Sequence, residues 1–218
     1  MDVPSLAYDS RGLVTVVVQD RLTGEVRMVA HASEEAIART LESGEGWFWS
    51  RSRGALWKKG ESSGHLLRVH AVWADCDRDA VVYLVDPAGP TCHTGAESCF
   101  FDRAIGPSAS RAVPFVIALE EALAARASSS AEASYTRSLL DRGAPKIHEK
   151  LVEEAGELGR ALESESDERV ISEAADVLYH LMVGLLHRRI PVRAVLGELA
   201  RRFGISGHAE KASRAPSA

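Results

Sequence analysis

Cysteine is scarce in this chain: three among 218 residues, an odd number. An odd count argues against a disulfide framework and for a reducing cytosol, so a cytoplasmic protein is expected. The opening residues Met1-Asp2-Val3-Pro4-Ser5 lack the basic start and apolar stretch of a secretory signal. No apolar run approaches the roughly 20 residues that a membrane helix needs, so no membrane partner is expected. Positive charge is also short, with 26 basic against 31 acidic residues and a net charge of −5. That balance gives no support to a general nucleic-acid binder, which carries a basic surplus. Internal repeats are absent as well.

Hydrophobic residues, at 45%, suffice for a buried core in one large domain or two small ones. The first half reads as mostly β. Residues 13–20 are β-branched and end at the turn Arg21-Leu22-Thr23-Gly24, and residues 25–30 answer as the second strand of a hairpin. Ser33 reads as the N-cap of a helix that stops at Gly44. Residues 46–52, 66–75 and 80–85 are further strands, and 86–90 a loop. Composition then changes near Ala104, and residues 105–112 read as a linker. Everything beyond is helical in pattern: a helix from Pro114 to about Ala127, a break at Ser128-Ser129-Ser130, and a short helix over 135–140 ending near Gly143. A long helix follows over 146–163, then one over 168–188 capped by Asp167, then one from Pro191 to Phe203. Residues 204–218 read as a disordered tail. The expected class is α+β, a mostly-β domain (1–104) followed by an all-α domain (113–203).

All three cysteines stand among acids and a histidine. The first lies in Asp75-Cys76-Asp77-Arg78-Asp79, the others bracket Cys92-His93-Thr94-Gly95-Ala96-Glu97-Ser98-Cys99. Thiolates suit zinc and clustered carboxylates suit magnesium, which points to metal-assisted hydrolysis. If residues 75–79 continue a strand, Asp75, Asp77 and Asp79 share one face and Cys76 takes the other. Three cysteines leave one zinc position open for water, and His93 could be a general base or a further ligand. Either segment alone reads more readily as small buried hydrophobes or a solvated acidic turn than as a metal site. Together they favour metal.

The helical half carries a second acidic set. Glu154 and Glu157 lie three apart on one helix, Glu173 and Asp176 three apart on the next. Antiparallel helices joined by a short loop bring both pairs together, and four carboxylates repel unless a cation is present. Magnesium on a polyphosphate is the natural guest. Leu151, Leu158, Leu162, Val177, Leu178, Leu181 and Leu185 are expected as apolar contacts around the acids.

Residues 9–103 resemble phosphoribosyl-AMP cyclohydrolase of histidine biosynthesis. The resemblance rests on Trp49-Ser50-Arg51-Ser52-Arg53-Gly54, Leu56-Trp57-Lys58-Lys59-Gly60-Glu61-Ser62-Ser63-Gly64-His65, the 75–79 segment, and Gly89-Pro90-Thr91-Cys92-His93-Thr94-Gly95 through Phe100. It implies an obligate homodimer with zinc shared across the interface by Cys76, Cys92 and Cys99, and magnesium on Asp75, Asp77 and Asp79. The implied reaction opens the adenine ring at the N1–C6 bond, with zinc-activated water attacking C6. Ser50, Arg51, Ser52, Arg53, Lys59, Ser62, Ser63 and His65 would bind the nucleotide. Without the resemblance, Ser50-Arg51-Ser52-Arg53 reads as an exposed polar strand.

Residues 113–203 resemble phosphoribosyl-ATP pyrophosphohydrolase, of the all-α nucleotide pyrophosphohydrolases. Ser134-Tyr135-Thr136, Leu139-Leu140, Gly143, Lys146-Ile147, Lys150, Glu153-Glu154, Glu157, and Glu173 to Asp176 followed by Leu178-Tyr179-His180-Leu181 carry it. It implies magnesium on Glu154, Glu157, Glu173 and Asp176, with Glu153 as base or extra ligand and phosphates on Lys146 and Lys150. Its product, phosphoribosyl-AMP, is the substrate implied for the first half. The sequence departs from the cyclohydrolase pattern at Ala30-His31-Ala32-Ser33, Leu67, Arg78 and Ala96-Glu97. Those departures leave hydrolysis of another purine nucleotide open as the alternative, beside a non-catalytic zinc dimerisation module.

Overall fold

A computed structural model describes residues 6–102, 112–128 and 134–203. The linker expected at 105–112, save Ala112, the serines at 129–130 and the tail at 204–218 lie outside the described residues. The chain divides into two compact units, Met1–Pro114 and Phe115–Ala218.

In the first unit β1 (Val14–Asp20), β2 (Val26–Ala32), β3 (Trp47–Ser50), β4 (Ala55–Lys58), β5 (Leu67–Ala74) and β6 (Ala80–Pro87) form one sheet, ordered β4-β3-β2-β1-β6-β5. β1 and β6 run parallel, the other neighbours antiparallel. Residues two apart on a strand share a face, so Val14, Val16 and Val18 all point inward. They join Met28, Phe48, Val81, Tyr83 and Val85 in one core, covered by Ala36 and Ile37 of α1 (Glu34–Ser43). Ser33 caps α1: its hydroxyl accepts from the Ala36 N–H at 3.2 Å. Gly44 ends it at φ 68, a left-handed position that glycine adopts freely. The sheet then curls into a half-barrel. Gly46 N–H donates to the Leu67 carbonyl at 2.9 Å, and Val69 N–H to that of Gly44 at 2.7 Å.

Two expectations are corrected here. The sequence pattern carries 46–52 as one strand and omits β4. The strand instead stops at Ser50, and Gly54 at φ 59 turns the chain back so that 55–58 pair with β3. Residues 75–79 are not strand either. They form the turn between β5 and β6, where Ala80 N–H donates to Asp75 Oδ1 at 3.2 Å. Arg78 takes φ 66 there, a conformation that glycine adopts more cheaply.

The second unit holds α2 (Phe115–Ala127), α3 (Tyr135–Ser164), α4 (Asp167–His187) and α5 (Val192–Arg202). The two helical segments expected on either side of Gly143 are present and meet across a kink within α3. Gly143 sits at φ 71 and ψ −166, and Pro145 follows inside the helix. The N-cap of α4 is Ser166, not Asp167, which begins the first turn. Glu120 of α2 accepts the otherwise orphaned Val192 N–H at 2.7 Å, where α5 starts. The core is Leu123, Leu139, Ile147, Met182 and Val183.

Leu162, Leu178 and Leu181, expected around the acids, are exposed instead. α4 turns Glu173, His180 and Val183 inward, and five residues beyond Glu173 Leu178 lies about 140° further round the helix. By length and composition alone α4 could cross a membrane, but it carries Glu173 and Asp176, packs along α3 and buries Glu173 and His180.

Candidate functional site

The 92–99 segment is a compact loop fastened to β2. Cys92 N–H donates to the Ala96 carbonyl at 3.0 Å, and Gly95, at φ 89, returns its N–H to the Cys92 carbonyl at 3.1 Å. Ser98 donates its hydroxyl to the Val26 carbonyl at 2.8 Å, and Cys99 its N–H to that of Arg27 at 2.8 Å. Cys92 is buried. The Thr94 hydroxyl donates to its sulfur at 3.2 Å, which holds the thiol below its ordinary pKa. Burial first, and the neighbouring Cys92 second, push the Cys99 thiol up. Burial lowers the Lys59 ammonium against the opposing pull of both thiols. His93 is exposed, with Nδ1 3.8 Å from the Cys92 sulfur.

These groups open onto a cavity of about 690 Å³, also lined by Arg53, Ser62, Ser63 and His65. Glycine shapes its wall. At Gly60, φ 85, a Cβ would overlap the backbone of His65 and Leu66. At Gly89 one would meet the His65 ring at 2.9 Å. The remaining expected nucleotide contacts, Ser50, Arg51 and Ser52, line a second groove of about 520 Å³ with His31 and Trp49; Arg53 borders both.

The carboxylates of Asp75, Asp77 and Asp79 come within 4.8 Å of one another. The turn gathers them, not the strand alternation. All three are exposed, and the negative charges of Asp77 and then Asp75 hold the Asp79 carboxyl above its ordinary range. Cys76 is exposed among them and, among the described residues, joins no metal-holding group with Cys92 and Cys99.

In the helical unit Glu154 and Glu157 of α3 meet Glu173 of α4, again within 4.8 Å. Glu154 and Glu173 are buried. One oxygen of Glu173 takes Arg169 at 2.5 Å, while Oε2 is buried without a partner. Burial raises the Glu173 carboxyl against Arg169, with Glu157, Asp176 and Glu154 adding to the rise. Asp176 stands exposed outside the group; its carbonyl is 2.9 Å from His180 Nδ1. A carbonyl only accepts, so Nδ1 carries the proton and Nε2 accepts from the Tyr135 hydroxyl at 3.2 Å. Lys150 reaches Glu153 and Glu154, and Lys146 reaches Glu149. Lys150 holds the exposed Glu153 carboxyl below its usual range.

The donor chemistry fits two kinds of ion. A lowered-pKa thiol beside a second thiol and an imidazole suits zinc. Three carboxylates with an orphaned buried oxygen suit a hard cation such as magnesium. Sequence reasoning missed Arg27, Thr94, Arg169 and His180 as parts of these sites. Only Arg27 carries a local signal, a charge inside the apolar strand Val26-Arg27-Met28-Val29.

Comparison with known proteins agrees with this division. The family model described as phosphoribosyl-AMP cyclohydrolase matches residues 28–101, and that described as phosphoribosyl-ATP pyrophosphohydrolase matches 116–203. The histidine biosynthesis bifunctional protein HisIE of Wolinella succinogenes is 40% identical over 217 residues, covering 95% of each chain. That of Halalkalibacterium halodurans is 42% identical over 205 residues, 93% of this chain and 97% of its own. That of Bacillus subtilis is 41% identical over 197 residues, 90% and 94%. The chain thus belongs to the bifunctional histidine-biosynthesis family and is a hydrolase with a cyclohydrolase half for phosphoribosyl-AMP and a pyrophosphohydrolase half for phosphoribosyl-ATP.

Proposed function

We propose that the helical unit cleaves phosphoribosyl-ATP with magnesium held by Glu154, Glu157 and Glu173, joined by Asp176. The N-terminal unit then opens the adenine ring with zinc held by Cys92 and Cys99 and by Cys76 from a second copy of the chain. Asp75, Asp77 and Asp79 hold a further magnesium. The observation that carries the reading is the meeting of Glu154, Glu157 and Glu173 around a buried, partnerless carboxylate oxygen. When bound, magnesium neutralises phosphate charge and zinc supplies Lewis acidity toward water.

The chain's own residues do the rest. Glu153, ionised beside Lys150 at rest, takes a proton from the attacking water once Lys150 turns to the phosphates. Lys146 and Lys150 turn from their glutamates to the phosphates. In the first unit Arg53, Lys59, Ser62 and Ser63 hold ribose and phosphate along the cavity wall, and His65 fixes that wall between Gly60 and Gly89. His93, exposed beside Cys92, moves the proton during ring opening.

Cys76, exposed in the turn between β5 and β6 and outside the lining of the cavity onto which Cys92 and Cys99 open, supports a homodimer in which it meets the thiols of a second copy. The three free thiols support a cytoplasmic setting. Co-expression of Cys76→Ala chains with Cys92→Ala chains tests the sharing. Each variant alone lacks ring opening, and random pairing restores about a quarter of the parental sites, because half the dimers carry one intact site of two. No recovery would place all zinc ligands on one chain.

A further inference from the structure

Arg27, the second residue of β2, is buried at 5% exposure, flanked by Val26 and Met28. Its guanidinium serves three groups: Nη1 meets Glu25 at 2.7 Å, Nη2 meets Glu97 at 2.6 Å, and Nε meets the Thr91 hydroxyl at 3.4 Å. Its carbonyl accepts the Cys99 N–H at 2.8 Å. Glu25, buried beside it, already neutralises the charge. Glu97 is different: its side chain is 52% exposed and has water as an alternative partner, yet it reaches inward to Arg27. Thr91 and Glu97 are also joined to each other, N–H to carbonyl at 3.2 Å. The Arg27 side chain thus ties Thr91 and Glu97, on either side of Cys92, to β2, while the Ser98 hydroxyl on the Val26 carbonyl holds the stretch before Cys99.

We infer that Arg27 is a positioning residue for the zinc-binding thiols, acting through Glu97 and Thr91 to set the metal affinity of the 92–99 segment from β2. The fork of an arginine holds two acceptors in fixed directions, which a lysine cannot do. Partners that orient metal ligands commonly change affinity 10- to 100-fold when lost. The inference rests on the zinc reading of Cys92 and Cys99 given above.

The test is the zinc dissociation constant of the full chain, measured by competition with a chromophoric chelator. Parent, Glu97→Gln, Glu25→Gln, Arg27→Lys and Cys92→Ala proteins are compared, with the thermal midpoint recorded for each. Glu97→Gln leaves the buried Arg27–Glu25 pair intact, so the sheet keeps its fold. It is expected to weaken zinc binding about tenfold or more with its midpoint near the parent's, and Arg27→Lys, which loses the fork to both Glu97 and Thr91, to weaken it at least as much. Glu25→Gln, which spares the loop, should stay within about threefold of the parent by the same reasoning. Parental affinity in Glu97→Gln overturns the inference alone. Equal losses in Glu97→Gln and Glu25→Gln overturn it too, since they mark a general contribution to stability. Zinc binding that ignores Cys92→Ala removes the zinc reading itself and the inference with it.

Discussion

The ammonium of Lys150 stands 2.9 Å from a carboxylate oxygen of Glu154 and 2.9 Å from one of Glu153. One cation on a single turn of α3 thus spans a buried acid and an exposed one. Both contacts raise the Lys150 ammonium above its ordinary range, Glu153 contributing most. Lys150 is the counter-ion of Glu154 within the acidic cluster, as Arg169 is of Glu173.

Lys150→Met removes that counter-ion. Without magnesium, the helical unit should lose about 1–3 kcal/mol, the cost of leaving a buried acceptor unsatisfied. Magnesium should restore part of the loss, while pyrophosphate release falls at least about tenfold for want of a phosphate contact. Urea unfolding with and without magnesium checks this. Equal stability of parent and variant without metal would contradict it.

Glu173 stores the opposite cost. Its raised carboxyl pKa means that the folded state prefers the protonated form. That contribution is complete below the unfolded value, 4.5, and is lost as pH rises through the raised folded value. Glu173→Gln mimics the protonated form. In chelator at pH 7 the variant should melt above the parent, and the gap should close below pH about 4.5. Magnesium should stabilise only the parent. A variant that melts lower than the parent at neutral pH would contradict the account.

Phe48 separates the two units experimentally. It is fully buried, with ring centroids 5.1 Å from Trp57 and 5.7 Å from Tyr83. Phe48→Ala should destabilise the first unit by about 3–5 kcal/mol. Trp47, Trp49, Trp57 and Trp73 are the chain's tryptophans and all lie in that unit, so their fluorescence reports its unfolding alone. Pyrophosphate release should persist after the fluorescence transition. Joint loss of both signals would contradict independent folding.

The elements with strong local signals were legible in sequence. β1 showed in its β-branched run, α1 in Ser33 and Gly44, and the break within α3 in Gly143. β4 was not, because four residues carry too little periodicity and its pairing depends on the turn at Gly54. The three aspartates were read correctly as neighbours for the wrong reason, since backbone reversal at Arg78 gathers them. In the helical unit the i, i+3 spacing pointed to Glu154, Glu157 and Glu173 but could not tell that Asp176 stays outside their group. Thr94, Arg169 and His180 carried no local signal as site residues, and Arg27 only that of a charge inside an apolar strand. Each acts through a contact that spacing does not encode: from β2 to the 92–99 loop for Arg27, within the loop for Thr94, along α4 for Arg169 and between helices for His180.

The most direct measurement follows phosphoribosyl-ATP by mass spectrometry with magnesium and zinc present, using parent, Cys92→Ala and Glu154→Gln proteins. The parent should give the ring-opened imidazole carboxamide nucleotide and pyrophosphate. Cys92→Ala should stop at phosphoribosyl-AMP. Glu154→Gln should leave phosphoribosyl-ATP intact yet open the ring of supplied phosphoribosyl-AMP. Ring opening by Cys92→Ala, or pyrophosphate release by Glu154→Gln at the parental rate, would contradict the assignment of the two sites.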